Sequence, residues 1–211
     1  MKMITIALPK GRLAQEAAEL FIKSSLTCIN IMQETRKLVI EDENNNMRFL
    51  MVKPFDVPTY VEYGIADIGI VGKDVLLEQG KKVYELLDLG IGKCFIALAG
   101  PKGMKEELLN KPEKTIATKF PNITKEYFEN VLDEDVQIIK LNGSVELAPI
   151  LGLSDMIVDI VESGRTLREN GLEVYEKLYD ISARLIINRA SLKLKNEIEE
   201  IINHLERMIM Q

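Results

Sequence analysis

The segment from Asp159 to Gly171, DIVESGRTLRENG, ends an apolar run and packs hydroxyl, glycine and cationic residues into one turn. A loop entering a helix presents unpaired backbone N–H groups and the positive end of a dipole, which together bind phosphate. Gly164 admits close approach of the backbone, and the Ser163 and Thr166 hydroxyls around it add donors. Asp159 and Glu162 stand just upstream, where carboxylates repel a phosphate unless a group between them donates hydrogen bonds. A ribose diol meets that need. The same residues also describe a plain capped corner, with Ser163 as N-cap and Asp159 solvated.

Other corners repeat the chemistry. Lys10-Gly11-Arg12 follows the first apolar run and adds two cations suited to a pyrophosphate or triphosphate. Arg36 and Lys37 form a further cationic pair at the head of a strand. Gly72-Lys73-Asp74 stands at another strand-to-helix corner, where Asp74 also reads as an N-cap. In LNGSVELAP, Ser144 reads as an N-cap with Glu146 in the first turn. Lys119 and Phe120 offer a cation and an aromatic face to a base, with Phe120 alternatively a core residue. Any one corner is weak; together they point to a phosphate-rich ligand.

The elements holding these corners follow from hydrophobic period. Short apolar runs alternate with amphipathic segments, the pattern of an α/β protein. MITIAL predicts a strand and residues 13–25 a helix; RKLVIED and MRFLMVK around Asn44-Asn45-Asn46 predict a hairpin. Asp56 and Pro58 open a helix that Gly64 closes, and ADIGIV is a buried strand followed by a helix ending at Gly80. Residues 83–99 hold two extended runs joined around Gly90 and Gly92, where the chain crosses into a second series. That series runs strand KTIATK, helix 122–132, strand VQIIKL, helix 144–151 and strand MIVDIV, the last expected in a parallel sheet. LEVYEKLYDISARLIIN carries the chain back, and residues 191–209 form a terminal helix with Leu194, Ile198, Ile201, Ile202, Leu205 and Ile209 on one stripe. The economical partner for that stripe is the first half of the chain. Two α/β lobes result, the first discontinuous.

Composition narrows the function. The chain has 211 residues, 46% hydrophobic and 28% charged, enough for one large domain or two small ones. No apolar run reaches about 18 residues, so no membrane span is expected, and the N-terminal apolar stretch is too short for a signal peptide. A net charge of −6 gives no non-specific attraction to nucleic acid, so polyphosphates need local cations to hold them. Cys28, Cys94 and the single His204 suit neither a disulfide framework nor a zinc site; buried thiols in a reducing cytoplasm are expected.

IALPKGRL, RKLVI, DVPTYVEYGIADIGIVGKDVLLEQG, YELLDL, IATKF, LNGSVELAP and DMIVDIVESGRTLRENGLEVYEKLYDISARLIINRAS together resemble the catalytic chain of the ATP phosphoribosyltransferase family, from about Ile4 to Asn188. The resemblance implies an α/β, two-lobed periplasmic-binding-protein-like (type II) architecture. Lobe I would be 1–90 plus 184–211 and lobe II 91–183, in the short form without a C-terminal regulatory domain. It implies transfer of the phosphoribosyl group of phosphoribosyl pyrophosphate (PRPP) to N1 of ATP, the first step of histidine biosynthesis, with Mg2+ carried mainly by substrate phosphates. Asp159, Glu162, Ser163, Gly164, Arg165 and Thr166 would hold PRPP. Relatives commonly carry Asp-Thr at Glu162-Ser163. Arg36, Arg12, Lys10 and Lys37 would neutralise the leaving pyrophosphate. Lys10, Gly11, Arg12, Gly72, Lys73, Lys119, Phe120, Ser144 and Glu146 would serve ATP, with no dedicated metal ligands. A histidyl-tRNA-synthetase-like regulatory subunit is the implied partner, with a homodimer inside a hetero-oligomer. The competing readings are a ligand-sensing or solute-binding module of the same fold and a nucleobase-salvage phosphoribosyltransferase.

Overall fold

The protein is described by a computed structural model, which defines residues 3–31 and 37–210. Chain contacts divide it into two units. The first comprises Met1–Leu76, Gly80–Gly92 and Ser182–Gln211, and the second Leu77–Gln79 and Lys93–Ile181. Among the described residues the strands are β1 (Ile4–Pro9), β2 (Val39–Asp42), β3 (Met47–Val52), β4 (Ile68–Gly72), β5 (Tyr84–Asp88), β6 (Cys94–Pro101), β7 (Lys114–Thr118), β8 (Val136–Lys140), β9 (Met156–Val161), β10 (Leu172–Ile181) and β11 (Ala183–Ile187). The helices are α1 (Arg12–Lys23), α2 (Val57–Glu62), α3 (Lys73–Gln79), α4 (Lys105–Leu109), α5 (Pro121–Glu126), α6 (Leu147–Ile150), α7 (Arg165–Glu169), α8 (Ser191–Leu194) and α9 (Glu197–Ile209).

The first unit carries a mixed sheet in the order β2-β3-β1-β4-β11-β5. β1 runs parallel to both β3 and β4 and is buried along its whole length, as expected of a strand covered on both faces. β2 returns antiparallel on β3 through the Asn44-Asn45-Asn46 turn, with Asn46 at φ 52°, so the predicted hairpin is present. On one face, Ala14, Ala17, Ala18 and Phe21 of α1 pack with Ile198, Ile201 and Leu205 of α9 over Ile4, Ile6, Leu8 and Phe49. Phe21 meets Phe49 edge to face at 5.8 Å between ring centres. The terminal segment therefore packs where the apolar stripe requires, but as two helices. The chain turns at Lys195 and Asn196, and Leu194 points to solvent at 80% exposure.

The second unit carries the order β10-β6-β9-β7-β8. β7 is parallel to both β8 and β9, whereas β6 runs antiparallel to β9 and β10. MIVDIV is thus buried between one parallel and one antiparallel neighbour, a correction to the all-parallel expectation; an apolar run carries no record of strand direction. Helix 122–132 is shorter than its pattern: α5 ends at Glu126 and continues as a π turn through Tyr127–Val131. Helix 144–151 contracts to α6, because Ser144 adopts φ 49° and cannot open a helix; Glu146 takes the N-cap position instead. The thiol expectation fails as well, with Cys28 exposed and Cys94 half-buried.

Candidate functional site

In the second unit, the carboxyl ends of the parallel strands β8, β7 and β9 release three loops at one sheet edge, where ligands of α/β sheets gather. Lys119 follows β7, Ser144 and Glu146 follow β8, and Glu162 to Thr166 follow β9. The last loop encloses a pocket of about 240 Å³, lined by Glu146, Asp159, Glu162, Ser163, Gly164, Arg165, Thr166 and apolar neighbours. Glu146, expected on the ATP side, is here a wall of the pocket built by the 159–167 segment.

The loop geometry follows from Gly164. Its φ of 67° lies in the left-handed region, and a Cβ there would come within 3.1 Å of the Arg168 guanidinium. Nη1 of Arg168 donates to the Ser163 carbonyl at 3.0 Å. Ser163 Oγ accepts from the Arg165 N–H at 3.4 Å, a long bond that a better acceptor can replace. The Arg165 side chain is directed elsewhere: its Nε meets Glu169 at 2.7 Å on the exposed face of α7. Arg165 thus offers the pocket its backbone, while Arg168, which the sequence reading left aside, lies against the loop. One helical turn separates residues 164 and 168, and that spacing was the available signal. Because α7 has only five residues, the donors that matter are the loop N–H groups and hydroxyls rather than a long helix dipole.

Electrostatics divides the pocket. Burial, then repulsion from Glu146, raises the Asp159 carboxyl to about 6, against a backbone hydrogen bond from Ile160 and the charge of Lys119. Lys119 is half-buried, and its charge acts on Asp159. Phe120 does not reach it. At 1% exposure it is a core residue, because the chain bends there into α5 and its ring turns inward, so the expected aromatic face for a base is withdrawn. Pocket carboxylates supply hard oxygen donors suited to Mg2+. Among the described residues, however, no three His, Cys, Asp or Glu side chains group as a metal cage. The donor set fits an ion that brings most of its ligands as substrate oxygens.

In the first unit, Lys10-Gly11-Arg12 follows β1, and Gly72 ends and Lys73 follows the adjacent parallel strand β4, at the carboxyl edge of that sheet. The register of β2 on β3, Val39 opposite Leu50, brings exposed Lys37 to the same edge. Gly11 at φ 106°, ψ −161° occupies a region open essentially to glycine alone, which lets the backbone turn sharply into α1. Lys10 is exposed, Arg12 Nε lies 3.4 Å from Glu16, and Lys73 Nζ lies 2.6 Å from Glu85. Arg36 lies outside the described residues.

Residues 53–207 match the family model described as ATP phosphoribosyltransferase (HisG). A protein named ATP phosphoribosyltransferase from Caldicellulosiruptor saccharolyticus is 86% identical, over 99% of this chain and 100% of its own. The protein of that name from Caldicellulosiruptor bescii is 80% identical, over 98% and 99%. A solved ATP phosphoribosyl transferase (HisG:HisZ) complex from Thermotoga maritima superposes with TM-score 0.83 at 40% identity, covering 99% of both chains. The ancestral amino-acid-binding protein AncCDT-1 superposes at TM-score 0.60 with 13% identity, covering 98% of this chain and 89% of its own, a likeness of fold that bears out the periplasmic-binding-like class. The family match runs through every loop that walls the pocket, and on that ground the chain belongs to the ATP phosphoribosyltransferase family.

Proposed function

We propose that this chain joins C1 of the PRPP ribose to N1 of the ATP adenine and releases pyrophosphate, the first step of histidine biosynthesis. The observation that carries this reading is the family match across the pocket of the 159–167 loop. Adenine N1 already exposes its lone pair at neutral pH, so the nucleophile needs no strong base. The barrier lies in breaking the C1–oxygen bond as the ribose gains positive charge and pyrophosphate departs with the bonding pair. The protein's contribution is then positioning and charge stabilisation.

Ser163, Thr166 and the N–H groups of Gly164 and Arg165 hold the 5-phosphate. Asp159 and Glu162 accept from the ribose hydroxyls. Lys10, Arg12, Arg36 and Lys37 receive the leaving pyrophosphate, Gly11, Gly72, Lys73, Lys119 and Ser144 serve the ATP half, and Glu146 stands at the wall of the PRPP pocket. Lys73 is shared with Glu85, but a half-exposed pair of this kind is worth only about 0–1 kcal/mol, so a triphosphate can compete for the ammonium. Mg2+, when bound through substrate oxygens with help from pocket carboxylates, supplies further charge neutralisation at the pyrophosphate.

The regulatory partner is a second subunit of the kind named with the Thermotoga maritima complex. Purified chain is to be incubated with PRPP, Mg2+ and either ATP or free adenine, with and without a histidyl-tRNA-synthetase-like subunit. Pyrophosphate release with ATP alone is expected. Release with adenine instead, or with neither acceptor in the presence of the partner, overturns the reading.

A further inference from the structure

The structure assigns a positioning role to Arg168: from behind the loop, it sets the peptide whose N–H faces the 5-phosphate. The assignment rests on the PRPP reading of this pocket. The Ser163 carbonyl and the Gly164 N–H belong to one planar, trans peptide unit, so they point in opposite directions. Arg168 holds that carbonyl through Nη1 at 3.0 Å. The Gly164 N–H is thereby turned away from Arg168. Ser163, Gly164, Arg165 and Thr166 line the pocket and Arg168 does not, so the side away from Arg168 is the pocket side.

Gly164 and Arg168 are therefore coupled. Absence of a side chain at Gly164 supplies the positive φ and leaves room for the guanidinium, which a Cβ would meet at 3.1 Å. In the structure the Arg165 side chain is turned to Glu169, at 2.7 Å on the exposed face of α7, and it is Arg168 that meets the Ser163 carbonyl. A guanidinium is suited to the task because its donors are fixed in a plane, whereas an ammonium is a mobile point charge on a shorter reach. Without Arg168 the 163–164 peptide is free to rotate, and a phosphate meets a carbonyl oxygen as readily as an N–H.

The test uses the full chain with Arg168→Met and Arg168→Lys, measuring dissociation constants for PRPP and for ATP by titration calorimetry, with thermal melting alongside. Both variants are expected to weaken PRPP binding ~10- to 100-fold, the scale of a hydrogen bond to a charged group. ATP binding should stay within about twofold, and melting should be unchanged, since Arg168 is exposed. Adding Gly164→Ala to Arg168→Met should weaken PRPP binding no further than the worse single variant, because both act on one peptide. PRPP binding unchanged in Arg168→Met, or fully restored in Arg168→Lys, overturns the assignment, the second outcome reducing Arg168 to a charge. A wild-type chain that binds no PRPP overturns the proposed function itself, and is told apart because it fails before any substitution.

Discussion

Asp159 shows the conflict between stability and function on one side chain. The carboxyl sits at about 6 because burial and then the Glu146 charge disfavour its ionised form. In the unfolded chain it titrates near 3.9. A group raised in this way contributes stability that is fully present below about pH 4 and is lost as pH rises through about 6. Replacing it with a neutral isostere removes that loss. Asp159→Asn is therefore expected to raise stability at pH 7.5 by about 1–2 kcal/mol, allowing for partial exposure, and to change it little at pH 4. Chemical denaturation at the two values checks the difference. If the carboxylate accepts from the ribose hydroxyls, the same variant weakens PRPP binding at pH 7.5, and wild-type binding falls more steeply below pH 6 than the variant's, whose remaining slope is that of the phosphate itself. A variant no more stable at pH 7.5 than the wild type removes the premise of a buried charge. The residue types of this pocket were legible in the sequence. The coupling of Asp159 to Glu146 was not, since it arises between strand β9 and the loop after β8, which meet only when β8, β7 and β9 align.

At the scale of elements, the strands and the hairpin were readable because period and turn residues are local signals. What failed was set by partners distant in sequence. The terminal pattern predicted one helix, and the fold divides it where Asp67, just before β4, gathers Ser191 of α8 and Lys195 of the break itself. Its carboxylate accepts from the Thr5 N–H at 2.9 Å, Ser191 Oγ at 2.6 Å and Lys195 Nζ at 2.6 Å. Lys195 reaches it from a backbone that has left the helix, at φ −128°, ψ 100°. Ser191 lies in α8, so the cluster ties β1, β4 and the α8–α9 corner at the amino edge of the sheet, away from the Lys10 and Lys73 corners. Asp67→Ala leaves a buried N–H and an ammonium without their acceptor, which costs about 2–4 kcal/mol. Equilibrium unfolding should show that loss while pyrophosphate release at low temperature persists. Lost turnover with unchanged stability would falsify the structural role.

At the scale of the molecule, the two units differ in how they use the chain. The first assembles three distant stretches, and its sheet places β11 between β4 and β5. A fragment ending at Gly92 would lack the strand that joins β5 to the sheet, together with Leu185, Ile187, Ile198, Ile201 and Leu205 from its core. The second unit is different. All five of its strands lie between Cys94 and Ile181, and the cluster of Ala97, Ala117, Val145, Ile157, Val161, Leu167 and Leu172 is drawn from that stretch alone. Its debt to the 77–79 segment includes Glu78, whose carboxylate accepts the N–H groups of Asn122 and Ile123 at the start of α5. Losing such a cap costs about 1 kcal/mol, which a domain of this size can bear. Residues 93–181 expressed alone should therefore unfold cooperatively, at a lower midpoint than the whole chain. With the 159–167 loop intact, the fragment should bind PRPP; if Lys10, Arg12 and Lys37 act as proposed, it releases no pyrophosphate from it with ATP. Residues 1–92 alone should show no cooperative transition. A non-cooperative 93–181 fragment would mean that its sheet depends on the rest of the chain. A folded fragment that ignores PRPP would mean that the loop is completed by groups outside the second unit.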